Sequence, residues 1–370
     1  MTREPRLRYT RSVLGPRLAG VARTVALLVT LGVATAAAAA AETTTLDGTQ
    51  APLIRIDNAT GNVTVRTWDR PAVQVESDPA TVQITHTAGM SVAVDSVPIL
   101  AGRVAGPRGI VVLPEESFAV STLGPQPRDV VTIEGRDTGP ITVTIPNATA
   151  LLVVQTTHGI VAIHRFTGGT FVVRVQQGRV RLDRDGGAGF VQVMRGPVLA
   201  NDSDFDRLRT RTALGNSVFE RCRVRQIETT SVSGSIVFDR GTFDQGLARF
   251  QSETGSVAIG VDAPAQLGGR GDHVFTSFDR RVAYPVRSEA NASAVVDGGG
   301  PEVSAASASG NVYLYDGTLR DRPNLGAEWS RVNEIIKRVP QLNVPHGPAP
   351  PRPGAGRAGM PRFPADRFRR

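Results

Sequence analysis

The chain has 370 residues, enough for a large core, yet aromatic residues make up only 5% of it. With Gly, Val and Thr abundant, that balance suits many short strands joined by tight turns better than helices. The formal charge of +8 is concentrated at the ends: residues 1–41 and 340–370 carry +5 each, which leaves −2 for 42–339. This near-neutral body excludes a nucleic-acid footprint, and a single cysteine, Cys222, excludes an intramolecular disulfide.

Residues 1–41 read as an export signal. Arg3, Arg6, Arg8, Arg11, Arg17 and Arg23 precede an uncharged run from Val25 to Ala41 that ends in an A-x-A site before Glu42. Cleavage is the expected outcome. An uncleaved anchor is the alternative, because the run lies near the ~18-residue lower limit for a membrane span. Residues 42–51 form a polar linker.

From 52 to 320 one phrase recurs. It reads THGIVAI around Gly159, QQGRVRL around Gly178, MRGPVLA around Gly196, ALGNSVF around Gly215, VSGSIVF around Gly234 and ETGSVAI around Gly255, at steps of 19, 18, 19, 19 and 21. Gly61, Gly139 and Gly310 centre further copies. Residues 77–135 are less regular; Gly89 and Gly109 are read as two degenerate copies, with a proline-rich insertion at 113–128. Residues 263–300 read as loops.

Aligned on the glycine, the copies form columns. Two places after it stand Val63, Ile141, Val161, Val180, Val198, Ile236, Val257 and Val312, with Ser217 as the exception. Four after stand Val65, Val143, Ile163, Leu182, Ala200, Phe219, Phe238, Ile259 and Leu314. Five before stand Ile56, Val154, Val173, Val191 and Phe250, with Thr210 and Thr229; twelve after stand Val73, Phe171, Phe190, Leu208, Ile227 and Leu267. Alternation predicts strands. The parity flip across the glycine predicts a corner there. The expected fold is all-β, a parallel β-helix or β-solenoid with ~19-residue rungs stacked ~4.8 Å apart. Three places before the glycine stand Asn58, Thr156, Thr212, Ser231, Ser252 and Ser307, with Val175 and Val193 between; the stacked hydroxyls are expected to serve backbone groups at the corner or to form a ladder of side-chain hydrogen bonds.

Residues 321–339 predict an amphipathic helix with Leu325, Trp329, Val332, Ile336 and Val339 on one stripe, ended by Pro340. It is expected to cap the last coil, with partner or membrane binding as the alternative. Residues 340–370, rich in Pro and Arg, are expected to be a disordered tail.

The first copy, GNVTVRTWDRPAVQVE with its Trp68-Asp69 step, resembles the bacterial putative-adhesin β-solenoid family of unknown function. The resemblance covers about residues 50–316 without 77–135. It implies a β-helix-like fold in the envelope or outside the cell and no catalytic residues.

The chemistry is sparse. Six places past the glycine stand Arg165, Arg184, Arg221 and Arg240, with Asp202 interrupting. One place earlier stand His164, Asp183, Asn201, Glu220 and Asp239. This alternating edge is the one binding candidate, read first as a self-neutralised, solvated turn and second as a ridge for glycan or phosphate. Asp202, Asp204 and Asp206 have calcium-like spacing but lack the loop's glycine and glutamate, so no metal and no cofactor is expected. Arg270-Gly271-Asp272 is read as a chance tripeptide, and the lone thiol as a small residue tolerated in a repeat. The expectation is an exported non-enzyme, in the periplasm, at the cell surface or secreted. It would bind envelope polysaccharide, peptidoglycan, a surface protein or copies of itself. Membrane contact is confined to an uncleaved leader or the basic tail. A polysaccharide-acting enzyme and an envelope-stress scaffold working through 325–339 are the alternatives.

Overall fold

A computed structural model describes residues 42–48, 52–91, 94–99, 101–106, 109–123, 127–135, 139–244 and 246–317. The expected export signal (1–41), amphipathic helix (321–339) and basic tail (340–370) fall outside them. The described residues belong to one compact unit, Ala41–Arg370. Every element among them is a strand, and 23 strands join one mainly parallel sheet. The chain is therefore all-β over this span.

The repeat sets the register. Leu151–His164 pairs in parallel with Thr170–Asp183, so that Gly159 stands on Gly178 and Val161 on Val180. The ladder continues from Val198 to Ser217, Ile236, Val257 and Val312. Equivalent residues thus pack on one another. The columns two and four places after the glycine are buried throughout, as is the column five before it. Where that column turns polar, Thr210 donates to the Thr229 hydroxyl at 3.0 Å.

The glycine corner is crowded as well as bent. At Gly178, φ is +155°, and an added Cβ would lie 1.7 Å from the Gly159 carbonyl oxygen. No other residue fits. The carbonyls at this corner find partners one copy on: Ser252 Oγ donates to Gly234 O (2.9 Å) and Ser307 Oγ to Gly255 O (2.8 Å). Thr156 and Ser231 likewise donate to backbone carbonyls, of His158 (3.3 Å) and Gly215 (3.4 Å), which is the role expected of these hydroxyls, whereas Thr212 Oγ1 is buried without a partner.

Three expectations need correction. Phe190 does not belong to the inward column, because Phe171 pairs with Gly189 and Phe190 packs with Val172 and Phe118 on the other face. Gly89 and Gly109 do not centre copies. Gly89 lies in Val82–Ser91, which pairs antiparallel with Pro127–Gly135, and Gly109 opens the second strand of an antiparallel hairpin. Residues 263–300 are strands more than loops: Ala265–Arg270, Val274–Ser277, Val282–Arg287 and Asn291–Val296. The end of the ladder near these strands is covered by antiparallel pairing, Asn291–Val296 on Ala265–Arg270 and Val282–Arg287 on Asn291–Val296; the expected helical cap lies outside the described residues.

Chain order and spatial order differ at both ends. The Gly61 copy lies between the Gly139 copy and the Gly159 copy, since Leu53–Thr60 pairs with both Pro127–Gly135 and Leu151–His164. Likewise Glu302–Ser309 lies between Ala248–Thr254 and Ala265–Arg270. A second apolar cluster, Leu199, Val218, Val237, Ala258, Tyr313 and Tyr315, packs apart from the main core.

Candidate functional site

Arg165, Arg184, Asp202, Arg221 and Arg240 share a backbone feature: φ runs from 49° to 60° in all five, the left-handed region. They form the second corner of each copy. Backbone bonds explain the shape. Arg165 N donates to Asp183 O, Arg184 N to Asn201 O, Asp202 N to Glu220 O and Arg221 N to Asp239 O, all at 2.9–3.0 Å. With the backbone so committed, the side chains point outward. Arg221 grips Asp202 through two bonds of 2.6 and 3.0 Å and also meets Glu220, which Arg240 reaches at 2.8 Å. Arg221 accordingly holds the Asp202 carboxyl below its usual range. Asp239 accepts the Tyr315 hydroxyl at 2.9 Å, and Asp183 lies 3.5 Å from His164. Arg165 and Arg184 are exposed. From 202 to 240 the edge neutralises itself, and it is a row of corners with no depth.

The next residue turns inward: Phe166, Asp185, Ser203 and Cys222 are all buried. Asp185 accepts the Phe166 N–H (2.7 Å) and the Asp183 N–H (2.9 Å), while its own N–H donates to Ser203 Oγ (3.1 Å). Burial pushes the Asp185 carboxyl up to about 8 and the Cys222 thiol up to about 12. A thiol that far up is not a nucleophile at neutral pH. Asp202 is taken by Arg221 and Asp206 by Arg225 (3.2 Å). Among the described residues no three His, Cys, Asp or Glu side chains converge.

The one described cavity lies elsewhere, under the irregular segment. Val94–Ile99 pairs with Glu116–Leu123, and Gly102–Gly106 with Gly109–Leu113, both antiparallel. Together they make a flap over the outward face of the ladder. Phe118 packs on Phe190 (centroids 5.5 Å), and Leu113 clusters with Met194 and Ala213. Polar clamps fix the flap: Glu116 meets Arg209 (3.0 Å) and Arg211, Arg195 donates to Ala105 O (2.8 Å), and the Arg207 guanidinium lies 4.6 Å over the Phe118 ring.

Beside the flap opens a cleft of about 550 Å³. Its floor is the outward column four places before the glycine: Asp57, Gln155, Arg174 and Gln192, neighbours by strand register. Ala101, Gly102, Arg103 and Met194 wall it. Gly102 comes so close that a Cβ there would lie 2.2 Å from Met194 Sδ. Arg174 donates to Gln155 Oε1 (3.3 Å) and Gln192 Oε1 (3.4 Å), and Arg55 to Asp57 (2.6 Å). Burial lowers the Arg174 pKa from its ordinary value. Asn58 and Gln192, only 2% and 3% exposed, also line the cleft. Both amide atoms of Asn58, and Nε2 of Gln192, are buried without a hydrogen-bond partner. None of these residues stands on the edge that the sequence singled out. The floor column is chemically mixed, so stacking the copies does not reveal it. The usable signal was the irregularity of 77–135 beside a run of amides flanking a buried arginine.

No family model matches the chain, and no curated protein matches it. Among solved structures, the chain is similar to a putative adhesin from Parabacteroides distasonis, with 11% identity, a TM-score of 0.34, and coverage of 75% of this chain and 98% of that one. It is also similar to a putative cell adhesion protein from Clostridium sporogenes, with 6% identity, a TM-score of 0.22, and coverage of 74% and 98%. Overlaps this loose carry no functional argument.

Proposed function

We propose that this chain is an exported β-solenoid, a structural or adhesin-like module that binds envelope or extracellular polymers rather than transforming them. The observation that carries the reading is the parallel pairing, glycine corner on glycine corner, that runs from the Gly159 copy to the Gly310 copy. Such stacking gives a stiff body with repeated surfaces, suited to many weak contacts along a polymer. Export rests on the reading of residues 1–41.

One observation favours the enzyme alternative. Asp57 and Glu134 stand side by side on neighbouring strands at the cleft. However, Asp57 is tied to Arg55 and Glu134 is exposed. Sedimentation of the full chain with peptidoglycan and a panel of insoluble polysaccharides tests the proposal. Co-sedimentation with at least one polymer, without release of reducing sugar, is the expected result. Binding to none of them overturns it.

A further inference from the structure

The cleft beside the flap is built like a site and has no role in holding the ladder together. We propose that it binds a short stretch of glycan through hydroxyl hydrogen bonds. The inference rests on the polymer-binding reading above and deepens it by naming the place and the chemistry.

Three observations carry it. First, Gln192, on the outward floor column, buries an amide nitrogen that no protein group satisfies. Burying such an atom is costly, and native proteins rarely leave it so. A sugar hydroxyl accepts as well as donates, so it can serve Gln192 Nε2. Second, the floor is rigid. Arg174 is held between Gln155 and Gln192, each on its own strand of the ladder, so the donors facing the cleft are preorganised. Third, the lining has no aromatic ring, and Arg55 is neutralised by Asp57. An apolar ligand would find little to bury against. A strongly anionic one would meet Asp57 and Glu134. A cleft of about 550 Å³ falls within the usual range for small-ligand sites.

The experiment is titration calorimetry of the full chain with soluble oligosaccharides in three arms: neutral hexose oligomers, uronate oligomers and peptidoglycan glycan fragments. The same series is run on Gln192→Ala, Ala101→Trp and Arg184→Ala. Ala101 is exposed at the mouth, so tryptophan there obstructs the cleft without disturbing the ladder. Saturable binding of at least one arm is expected, weakened tenfold or more by the first two substitutions and unchanged by Arg184→Ala. Circular dichroism melts check folding, and Ala101→Trp keeps the test decisive where an amide variant fails to fold. Polymer co-sedimentation that survives Ala101→Trp would overturn the cleft while leaving the broader reading intact. Oligosaccharide binding lost in Arg184→Ala but kept in Ala101→Trp would place recognition on the outer edge and overturn the proposal. Release of reducing ends, abolished by Glu134→Gln, would overturn it in favour of hydrolysis. Failure to bind any arm or any polymer overturns both readings.

Discussion

Arg184 occupies a left-handed backbone position, φ 58°, that costs an L-residue roughly 1–2 kcal/mol. Glycine relieves that strain but adds freedom to the unfolded chain. The two terms nearly cancel, so Arg184→Gly should leave stability within about 1 kcal/mol. A β-branched side chain fits the left-handed region worst, so Arg184→Val should lose more than about 1 kcal/mol. Urea unfolding of both variants checks the contrast. One residue further on, Asp185 makes stability depend on pH. Its carboxyl is raised from 3.8 to about 8 on folding, chiefly by burial. The folded state thus holds the proton more tightly. The resulting stabilisation is complete below the unfolded value and is lost as pH rises through about 8. Melts between pH 5 and 8 should show stability falling by up to about 1.4 kcal/mol per pH unit, and Asp185→Asn should flatten that profile.

At the scale of elements, the flap is a separate unit fastened by few groups. Glu116 joins it to Arg209 and Arg211, and removing the carboxylate breaks both links, leaving Arg209 paired with Glu228 on the ladder alone (3.2 Å). Glu116→Ala should therefore speed proteolysis within 94–123 several-fold while the cut-resistant ladder remains, as limited trypsin digestion would show. The ladder was legible in the sequence because register is locked to the glycine: a residue at a given distance from it meets the same environment in every copy. Even so, one column was counted from the wrong side. The copies vary in length at the second corner, between Asp183 and Ala188 in the Gly178 copy, so counting forward past it slips the parity. Counted backward from each following glycine, position seven reads Ile54, Leu152, Phe171, Gly189, Leu208, Ile227, Ala248 and Val303, one continuous column. The Phe171 ring fills the space a side chain at Gly189 would need. The flap and the cleft were not legible, because antiparallel partners far apart in sequence carry no common spacing. The left-handed corner was missed because arginine does not announce it as glycine does.

For the molecule as a whole, a parallel ladder has two open ends, each a template for another copy. Here both are closed by antiparallel strands. Val82–Ser91 and Ala72–Ser77 cover one end, and Asn291–Val296 with Val282–Arg287 the other. The outermost of these, Val282–Arg287, contains Pro285, and its pairing is irregular between Ala283 and Val286. A proline in an exposed edge strand removes a donor and discourages pairing. Pro285→Val should restore a flat apolar edge and raise concentration-dependent light scattering, while the unaltered chain stays constant.

The exchanged order of copies at the two ends has a consequence for synthesis. As the chain leaves the ribosome, Leu53–Thr60 appears first but acquires its outer neighbour only when Pro127–Gly135 has emerged, and its inner neighbour when Leu151–His164 has. At the other end the slot beside Ala248–Thr254 belongs to Glu302–Ser309, although Ala265–Arg270 is made earlier and could dock there by the same apolar pattern. A strand translated later must claim a place that an earlier one can occupy. Assembly of the ladder is therefore not a simple zippering from one terminus to the other. Both ends wait for a late segment, and a chain cut short before Glu302 keeps its final turn unfinished.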